Sequence, residues 1–299
     1  MGYDRKSRSF LIDTIWPEFG LHVMSGGSGT WKTSLLFTML REFQENRPVF
    51  GLSTNARPWV YIAFDRDLNE TWDTLDMLKY DPPTSQIFSS YDNFPYQQNM
   101  TGVIQAMPKL LPHGGLMCID GLQILNPNDN NSYAGVASFT RMMRTNAAKH
   151  NVTLLGTVHN AKAKQGEEYA HPRDKIMGSV AWGATVGTIM ALEKKDELDV
   201  MLTICPRTSK EYKIMLTRDA AGQIVPRDEA EETEGNLVLN ARLAEVPAGA
   251  EIKRSDIMAW ALDANISERT AERWLTRQSG RSGRLQRTGR GVYQKMHEN

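Results

Sequence analysis

Residues 26–33 read Gly26-Gly-Ser-Gly-Thr-Trp-Lys-Thr33, a glycine-rich turn that closes on a lysine and a threonine. The apolar residues 20–25 before this turn predict a strand, and the pattern from residue 33 to about residue 45 predicts a helix. One face of that helix carries Leu35, Leu36, Met39, Leu40 and Phe43. Glycines let backbone N–H groups surround the oxygens of a phosphate, and the dipole of the following helix attracts the same anion. The stretch therefore predicts a phosphate-binding loop.

The chemistry of this loop, a P-loop, points to a nucleoside triphosphate, which we expect to be ATP. The ammonium of Lys32 can reach the β and γ phosphates, and the hydroxyl of Thr33 can bind Mg²⁺. The expected nucleotide-binding residues are Gly26, Gly27, Ser28, Gly29, Thr30, Trp31, Lys32, Thr33, Ser34 and Asp120. Trp31 departs from the usual pattern, which has glycine before the lysine. The alternatives are a turn that binds nothing and a dinucleotide site, although the third glycine of GxGxxG is missing.

Two aspartates follow apolar runs that predict strands. Asp120 ends the run that begins at residue 116, where a carboxylate can hold Mg²⁺ in the Walker B arrangement. Asp65 ends the run that begins at residue 59, where a carboxylate can act as a general base that orients an attacking water. An aspartate at this place can also serve only the turn that follows, so a solvated strand end is the alternative for Asp65.

The whole pattern up to residue 225 predicts an α/β fold. Short apolar runs alternate with helical patterns, which is typical of a mostly parallel sheet flanked by helices, and residues 199–205 and 211–217 predict an antiparallel hairpin. Lys plus Arg and Asp plus Glu both number 35, so the net charge indicates no partner. The chain lacks a signal-peptide pattern and any run of 18 apolar residues, which predicts a cytoplasmic protein without a membrane partner.

The order of these motifs resembles the RecA/DnaB superfamily, and within it the RepA-type replicative helicases and related ATPases of plasmids, phages and other mobile elements. The resemblance spans residues 15–225 and includes the stretch Leu155-Gly-Thr-Val-His-Asn-Ala-Lys162. It implies a RecA-like P-loop core, assembly into a homo-hexamer and a bacterial host cell. It also implies that His159 senses the γ-phosphate, and that Asp65 stands where relatives usually have glutamate.

The same resemblance assigns two further groups of residues. In the family, the loop after the sensor lines a central channel and contacts single-stranded DNA, and here that loop contains Lys162, Lys164, Arg173 and Lys175. Arg207, in the turn of the predicted hairpin, matches finger residues that reach the nucleotide of a neighbouring subunit. The expected catalytic residues are thus Lys32, Asp65, His159 and Arg207. The alternatives are an ordinary surface loop and a solvated turn arginine.

A change of composition after Pro226 predicts a second module. Residues 228–234 read DEAEETE, and we expect residues 227–250 to form an acidic linker. Residues 251–299 then show two helical segments and two short strands, the pattern of a winged helix. Residues 269–295 carry eight Lys or Arg against one acid, a net charge of +7 that is typical of nucleic-acid binding. The expected DNA contacts there are Arg269, Arg273, Arg277, Arg284, Arg287 and Arg290.

Residues 1–226 are therefore expected to form a RecA-like ATPase domain, and residues 251–299 a small winged-helix DNA-binding domain. Together with the family resemblance, they predict an ATP-dependent hexameric DNA helicase for the replication of a mobile element. Two alternatives remain. One is a RecA-like ATPase of recombination or annealing, and the other is a nucleotide-gated DNA-binding regulator without appreciable turnover. A winged helix that docks a protein is the alternative for the second domain.

Overall fold

A computed structural model describes residues 9–160, 176, 181–207, 209–219, 222–227, 229–279 and 284–296 of the 299-residue chain. The chain divides into two compact units, Met1–Pro226 and Arg227–Asn299, each with its own hydrophobic core. The loop residues expected to contact single-stranded DNA, Lys162, Lys164, Arg173 and Lys175, lie outside the described residues. Within the described ranges we find no helix with the length and hydropathy that a membrane span requires.

The first unit is built on a large, mostly parallel sheet. Its described strands are β1 (Phe10–Ile12), β2 (Trp16–Pro17), β3 (Leu21–Gly26), β4 (Trp59–Ala63), β5 (Ile87–Ser89), β6 (Gly115–Asp120), β7 (Val152–His159), β8 (Thr188–Lys194), β9 (Asp199–Pro206), β10 (Tyr212–Arg218) and β11 (Ile224–Pro226). The nine strands from β3 onward form one sheet in the order β11-β10-β9-β8-β3-β7-β6-β4-β5. Strands β8 to β5 of that order run parallel, whereas β9, β10 and β11 are antiparallel. The predicted hairpin and α/β fold class are confirmed.

Helices cover both faces of this sheet. They are α1 (Lys32–Gln44), α2 (Leu68–Met77), α3 (Met100–Leu110), α4 (Tyr133–Lys149) and α5 (Ala181–Thr185), with short 3-10 helices at Thr84–Gln86 and Leu122–Leu125. Successive residues of a strand point to opposite faces, so Met24 packs in the core that α1 covers and Val23 in the core that α4 covers. Burial on both faces explains why the strands read as continuous apolar runs rather than as alternating patterns.

The second unit begins with a helix where the sequence predicts a linker. Its elements are α6 (Glu229–Glu245), β12 (Glu251–Lys253), α7 (Arg254–Asp263), α8 (Glu268–Gln278), β13 (Leu285–Gly289) and β14 (Val292–Lys295). Leu239 and Leu243, four residues apart on α6, are fully buried in the core of this unit. The prediction of a linker over residues 227–250 is therefore wrong. The helix begins at Glu229, within the acidic stretch of the sequence, and the dipole at a helix N-terminus favours negative charge.

The basic residues of the second unit do not all face solvent. Arg273 is only 3% exposed, so it cannot contact DNA in this structure, and its prediction as a DNA contact is wrong. The physical reason is that Arg273 lies in the middle of α8, where Ala271, Trp274 and Leu275 are also buried in the core of this unit. Lys295 is also buried, and its Nζ donates to the carbonyls of Leu243, Ala244 and Val246 at 2.9, 3.3 and 2.6 Å.

Candidate functional site

The glycine-rich turn joins the end of β3 to the start of α1 and closes around its own lysine. Lys32 Nζ donates to the carbonyl oxygens of Gly26 and Gly27, at 3.0 and 2.9 Å. The Thr30 hydroxyl donates to the Gly27 carbonyl at 2.9 Å. Burial lowers the pKa of Lys32, while the nearby carboxylates of Asp120 and Asp65 act in the opposite direction. The ammonium therefore lies against the loop, beside the first turn of α1.

Trp31 occupies a backbone position that favours glycine. Its φ is 62° and its ψ is 22°, in the left-handed region, and it directly precedes the first residue of α1. A side chain with a Cβ in this region costs about 1–2 kcal/mol, which is why the position before the lysine usually holds glycine. Trp31 is partly buried against the core that α1 covers. The loop thus keeps the geometry of the motif despite the departure in sequence.

Asp120, at the end of β6, is held by hydroxyl groups from three separate elements. Thr33 Oγ1 and Tyr61 Oη donate to its Oδ2 at 2.7 and 2.8 Å, and Thr157 Oγ1 donates to its Oδ1. Thr157 in turn accepts the N–H of Gly121 at 2.9 Å. The carboxylate and the Thr33 hydroxyl are hard oxygen donors beside one another, and Mg²⁺ prefers such donors. These two residues therefore fit the magnesium ion that accompanies a nucleoside triphosphate.

Asp65 lies beside Asp120 because their strands pair in register. Ala63 of β4 is opposite Asp120 of β6, so the chain leaving β4 places Asp65 at the same edge of the sheet. Gly121 has a φ of 88°, and a Cβ added there would lie 3.3 Å from Asp65 Cβ, which favours glycine at this close approach. Burial raises the pKa of the Asp65 carboxyl, and the negative charge of Asp120 raises it further.

Arg66 links the two carboxylates. Its Nε lies 3.6 Å from Asp65 Oδ1 and 3.6 Å from Asp120 Oδ2. The positive charge of Arg66 opposes the rise in the pKa of Asp65, so it helps to keep that carboxylate ionised beside Asp120. An ionised carboxylate is the form that can orient and deprotonate a water molecule.

His159 closes the other side of the same site. It is the last residue of β7, and the parallel register places it opposite Gly26 at the end of β3. This neighbour relation brings the ring close to Lys32. Burial lowers the pKa of His159, and the Lys32 charge lowers it further, whereas Asp65 and Asp120 act in the opposite direction. The ring is therefore neutral near pH 7, and its one N–H can donate to an anionic oxygen.

These residues line one pocket at the carboxyl ends of the parallel strands. The lining residues are Ser28, Gly29, Thr30, Trp31, Lys32, Thr33, Ser34, Asp65, Arg66, Thr74, Asp120, His159 and Arg218. The structure thus brings together the predicted loop residues 28–34 with Asp65, Asp120 and His159. Open α/β sheets commonly bind ligands at this edge.

Arg207, which the sequence predicts as a catalytic residue, does not line this pocket. It is exposed in the turn between β9 and β10, and its backbone N–H donates to the Gly187 carbonyl at 2.9 Å. Arg207 therefore does not reach the nucleotide pocket of its own unit.

Sequence reasoning missed five residues of this site. Tyr61 and Thr157 hold Asp120, whereas Arg66, Thr74 and Arg218 line the pocket. One signal was available for Arg66, because it directly follows the strand-end Asp65. Nothing in the sequence marks Arg218, which comes from the antiparallel part of the sheet.

The ring of His159 is expected to titrate below its ordinary pKa of 6.5 in the free protein. Burial and the Lys32 charge both disfavour the protonated ring. Asp65 favours it, so Asp65→Asn should lower the pKa of His159 further. NMR titration can follow the six histidine rings, with His159→Gln to assign the signal. A His159 midpoint at or above 6.5, or an upward shift in the Asp65→Asn variant, would contradict this assignment of charges.

Comparisons with known proteins agree with this geometry. A family model described as AAA domain matches residues 4–165. A KaiC-like protein from the hyperthermophilic archaeon Pyrococcus horikoshii OT3 has a similar structure, with a TM-score of 0.51 and 14% sequence identity over 73% of this chain and 94% of that one. At this identity the likeness shows the fold alone. A comparison of the sequence with curated proteins finds no match. Because the family model covers more than half of the 299 residues, the protein belongs to the AAA domain family, and its core is that of a RecA-like P-loop ATPase.

Proposed function

We propose that this protein is an ATP-dependent DNA helicase of the RepA type, which works as a homo-hexamer in the replication of a plasmid, phage or other mobile element. The observation that carries the ATPase part is the shared pocket of Lys32, Thr33, Asp65, Asp120 and His159. The helicase part is supported by the order of the motifs along the chain and by the basic stretch 269–295 of the second unit.

Each pocket residue has a defined task in hydrolysis. Lys32 donates to oxygens of the β and γ phosphates, which the N–H groups of the loop also bind. Thr33 and Asp120 would hold Mg²⁺, which neutralises charge on the phosphates when bound. Asp65 orients a water molecule and accepts its proton as the water oxygen bonds to the γ-phosphorus and the bond to ADP breaks. The neutral His159 ring donates to an oxygen of the γ-phosphate.

The chain connects this chemistry to DNA directly. β7 ends at His159, and the next residues in the sequence include Lys162 and Lys164. A change of position at His159 when the γ-phosphate leaves is thus transmitted to the segment that we propose contacts single-stranded DNA. Basic side chains bind such a strand through its phosphates.

The second unit is proposed to bind duplex DNA as a winged helix. Its hairpin β13–β14 carries the exposed Arg287 and Arg290. Arg269 and Arg284 are partly exposed, and Arg284 also donates to Gln278 Oε1 at 3.3 Å. Arg254 on α7 forms ion pairs with Glu268 and Glu272 of α8, which reduces the positive charge on that side. The hairpin is therefore the principal DNA contact that we propose here.

Three measurements on the purified full chain test this function: phosphate release with and without single-stranded DNA, unwinding of a forked duplex, and native mass in Mg-ATP. We expect DNA-stimulated release, unwinding and a mass near six times 33.7 kDa. Stimulated hydrolysis without unwinding would favour the recombination or annealing ATPase instead. Nucleotide binding without turnover would favour the DNA-binding regulator.

Removing the second unit is expected to weaken duplex binding while leaving the ATPase. A chain of residues 1–226 keeps the nine-stranded sheet and both of its cores, because the division between the units lies at Pro226. Each phosphate neutralised by the second unit should add about 0.9 to the slope of log affinity against log salt. Equal affinity and equal slope for the short and the full chain would contradict the DNA-binding assignment of residues 227–299.

A further inference from the structure

Arg218 reaches the nucleotide pocket from the antiparallel side of the sheet. It is the last residue of β10, and its guanidinium lies over the ring of Trp31, 5.1 Å from the ring centroid. One terminal nitrogen donates to Ser34 Oγ at 3.3 Å, and the other lies 3.0 Å from the thioether of Met77. These contacts place the cation beside the first turn of α1, next to the phosphate loop.

The surroundings of Arg218 lack an acidic partner in the part of the chain that the structure describes. Among the described residues, no carboxylate lies within ion-pair distance of its guanidinium, and its Nε is buried without a hydrogen bond. Burial lowers the pKa of Arg218, and no neighbouring charge counteracts this. A half-buried cation is costly unless an anion accompanies it. The missing partner is therefore expected to be an anion that enters the pocket.

The other two cations of the pocket have partners within the protein. Arg66 lies between Asp65 and Asp120, and Lys32, which is proposed to bind the β and γ phosphates, donates to the two loop carbonyls. Arg218 is a third pocket cation that can add to Lys32 in meeting the charge of a polyphosphate. Guanidinium groups suit this task because their donors match the oxygens of a phosphate.

The position of Arg218 indicates which phosphates it meets. The γ-phosphate belongs at the end of the pocket where Asp65 and His159 lie, since these residues act on it in the proposed function. Ser34 comes one residue after the magnesium-binding Thr33, further along the first turn of α1. Its N–H and the neighbouring Arg218 guanidinium are therefore suited to the α and β phosphates, which a nucleoside diphosphate and triphosphate share.

Contact with Arg218 explains why a tryptophan occupies position 31, where the backbone favours glycine. Glycine would remove the cost of the left-handed backbone, but it would also remove the aromatic face on which the guanidinium lies. A cation over a partly desolvated tryptophan ring gains free energy comparable to that backbone cost. The stacked pair therefore offsets the strain in the loop.

We propose that Arg218 is a second phosphate-binding cation of the same chain, which contacts the α and β phosphates of the bound nucleotide, and that Trp31 is the positioning residue that holds it there. This inference rests on the proposed nucleotide function and extends it. It separates two arginines of the antiparallel strands: Arg218 acts on nucleotide affinity within one chain, whereas Arg207 is proposed to act on hydrolysis in a neighbouring subunit.

The test is calorimetric titration of the full-length protein with ATP and with ADP. Arg218→Ala should weaken both nucleotides by about tenfold or more and by similar factors, because one charge-assisted contact common to both is lost. Arg141→Ala is the matched control, since Arg141 is exposed on α4, which covers the opposite face of the sheet. It removes the same charge and should leave both affinities unchanged.

Two variants of Trp31 test the positioning role. Trp31→Gly relaxes the backbone, yet it should weaken both nucleotides about as much as Arg218→Ala does, and the double variant should be little weaker than either single one. Trp31→Phe keeps an aromatic face and should retain most of the affinity. If Trp31→Gly binds as tightly as the parent, the tryptophan does not position Arg218.

The outcomes distinguish a failure of the Arg218 site from a failure of the proposed function on which it rests. If the parent protein binds both nucleotides and Arg218→Ala binds them with the same affinity, only the Arg218 site is overturned. A loss confined to ATP would place Arg218 at the γ-phosphate and overturn the assignment to the shared phosphates. A parent protein that binds neither nucleotide overturns the proposed function and the Arg218 site together.

Discussion

Lys32→Ala is expected to lower ATP hydrolysis by at least about 100-fold, because removing one preorganised donor from a site of developing charge costs that much in other enzymes. Lys32 is the cation whose Nζ lies inside the loop, 3.0 and 2.9 Å from the carbonyls of Gly26 and Gly27. Arg66 lies between two carboxylates and Arg218 is proposed to contact the α and β phosphates, so neither can replace Lys32 at the γ-phosphate. Phosphate release by the purified protein in Mg-ATP measures the effect.

Two further variants make this result specific. Lys149→Ala removes the same charge at the exposed end of α4 and should hydrolyse ATP at the parental rate. Asp120→Asn should lose activity as Lys32→Ala does, because the amide is a poor ligand for Mg²⁺ compared with a carboxylate. Circular dichroism must show that each variant is folded. Parental turnover in a folded Lys32→Ala or Asp120→Asn variant would remove the P-loop assignment.

The second large effect is expected at Arg207. Its side chain is exposed and does not line the nucleotide pocket of its own unit, which suits an arginine that serves the site of a neighbouring subunit. Arg207→Ala should therefore bind ATP nearly normally and hydrolyse it about 10³-fold more slowly or worse, the usual cost of losing an arginine finger. Calorimetric titration with ATP and phosphate release measure the two quantities separately.

Mixing two inactive variants tests whether the active site is shared. Arg207→Ala has an intact P-loop, and Lys32→Ala has an intact Arg207. If their subunits exchange, some interfaces join a complete P-loop to a complete arginine, and hydrolysis should partly recover. If mass measurement shows mixed oligomers and the mixture is still inactive, Arg207 does not act on a neighbour and is a solvated turn residue.

Three helices, α2, α3 and α6, escaped prediction, each for a local reason. α2 buries only Thr71 and Leu75, so few of its residues contribute to an apolar helical pattern. Its first turn is capped by Asp67, which accepts the N–H of Glu70 at 2.9 Å. α3 contains Gly102 and Pro108, which usually disfavour helices. α6 begins in an acidic run, and its buried leucines become significant only when they meet the core of the second unit.

The sequence pattern also does not show which individual side chains are buried. Leu262 is apolar yet 80% exposed, whereas Arg273, which the sequence places among the DNA contacts, is buried. Leu262 lies on α7 and Arg273 on α8, and the packing of these helices against α6 and against each other decides which side chains are buried. A charge count along the sequence cannot show which arginines such packing turns inward.

The sequence by itself predicted the phosphate loop, the candidate magnesium ligands Thr33 and Asp120, and the α/β class. The loop depends on local chemistry, since glycines, a lysine and a helix start must be adjacent in the chain to surround a phosphate. Only the tertiary structure decided which other groups reach that loop. Tyr61 and Arg66 come from β4 and the chain directly after it, Thr157 from β7 and Arg218 from the end of β10, and they meet when the register of the sheet aligns these strands. That register depends on the burial of both faces of the sheet at once, which no short stretch of sequence contains.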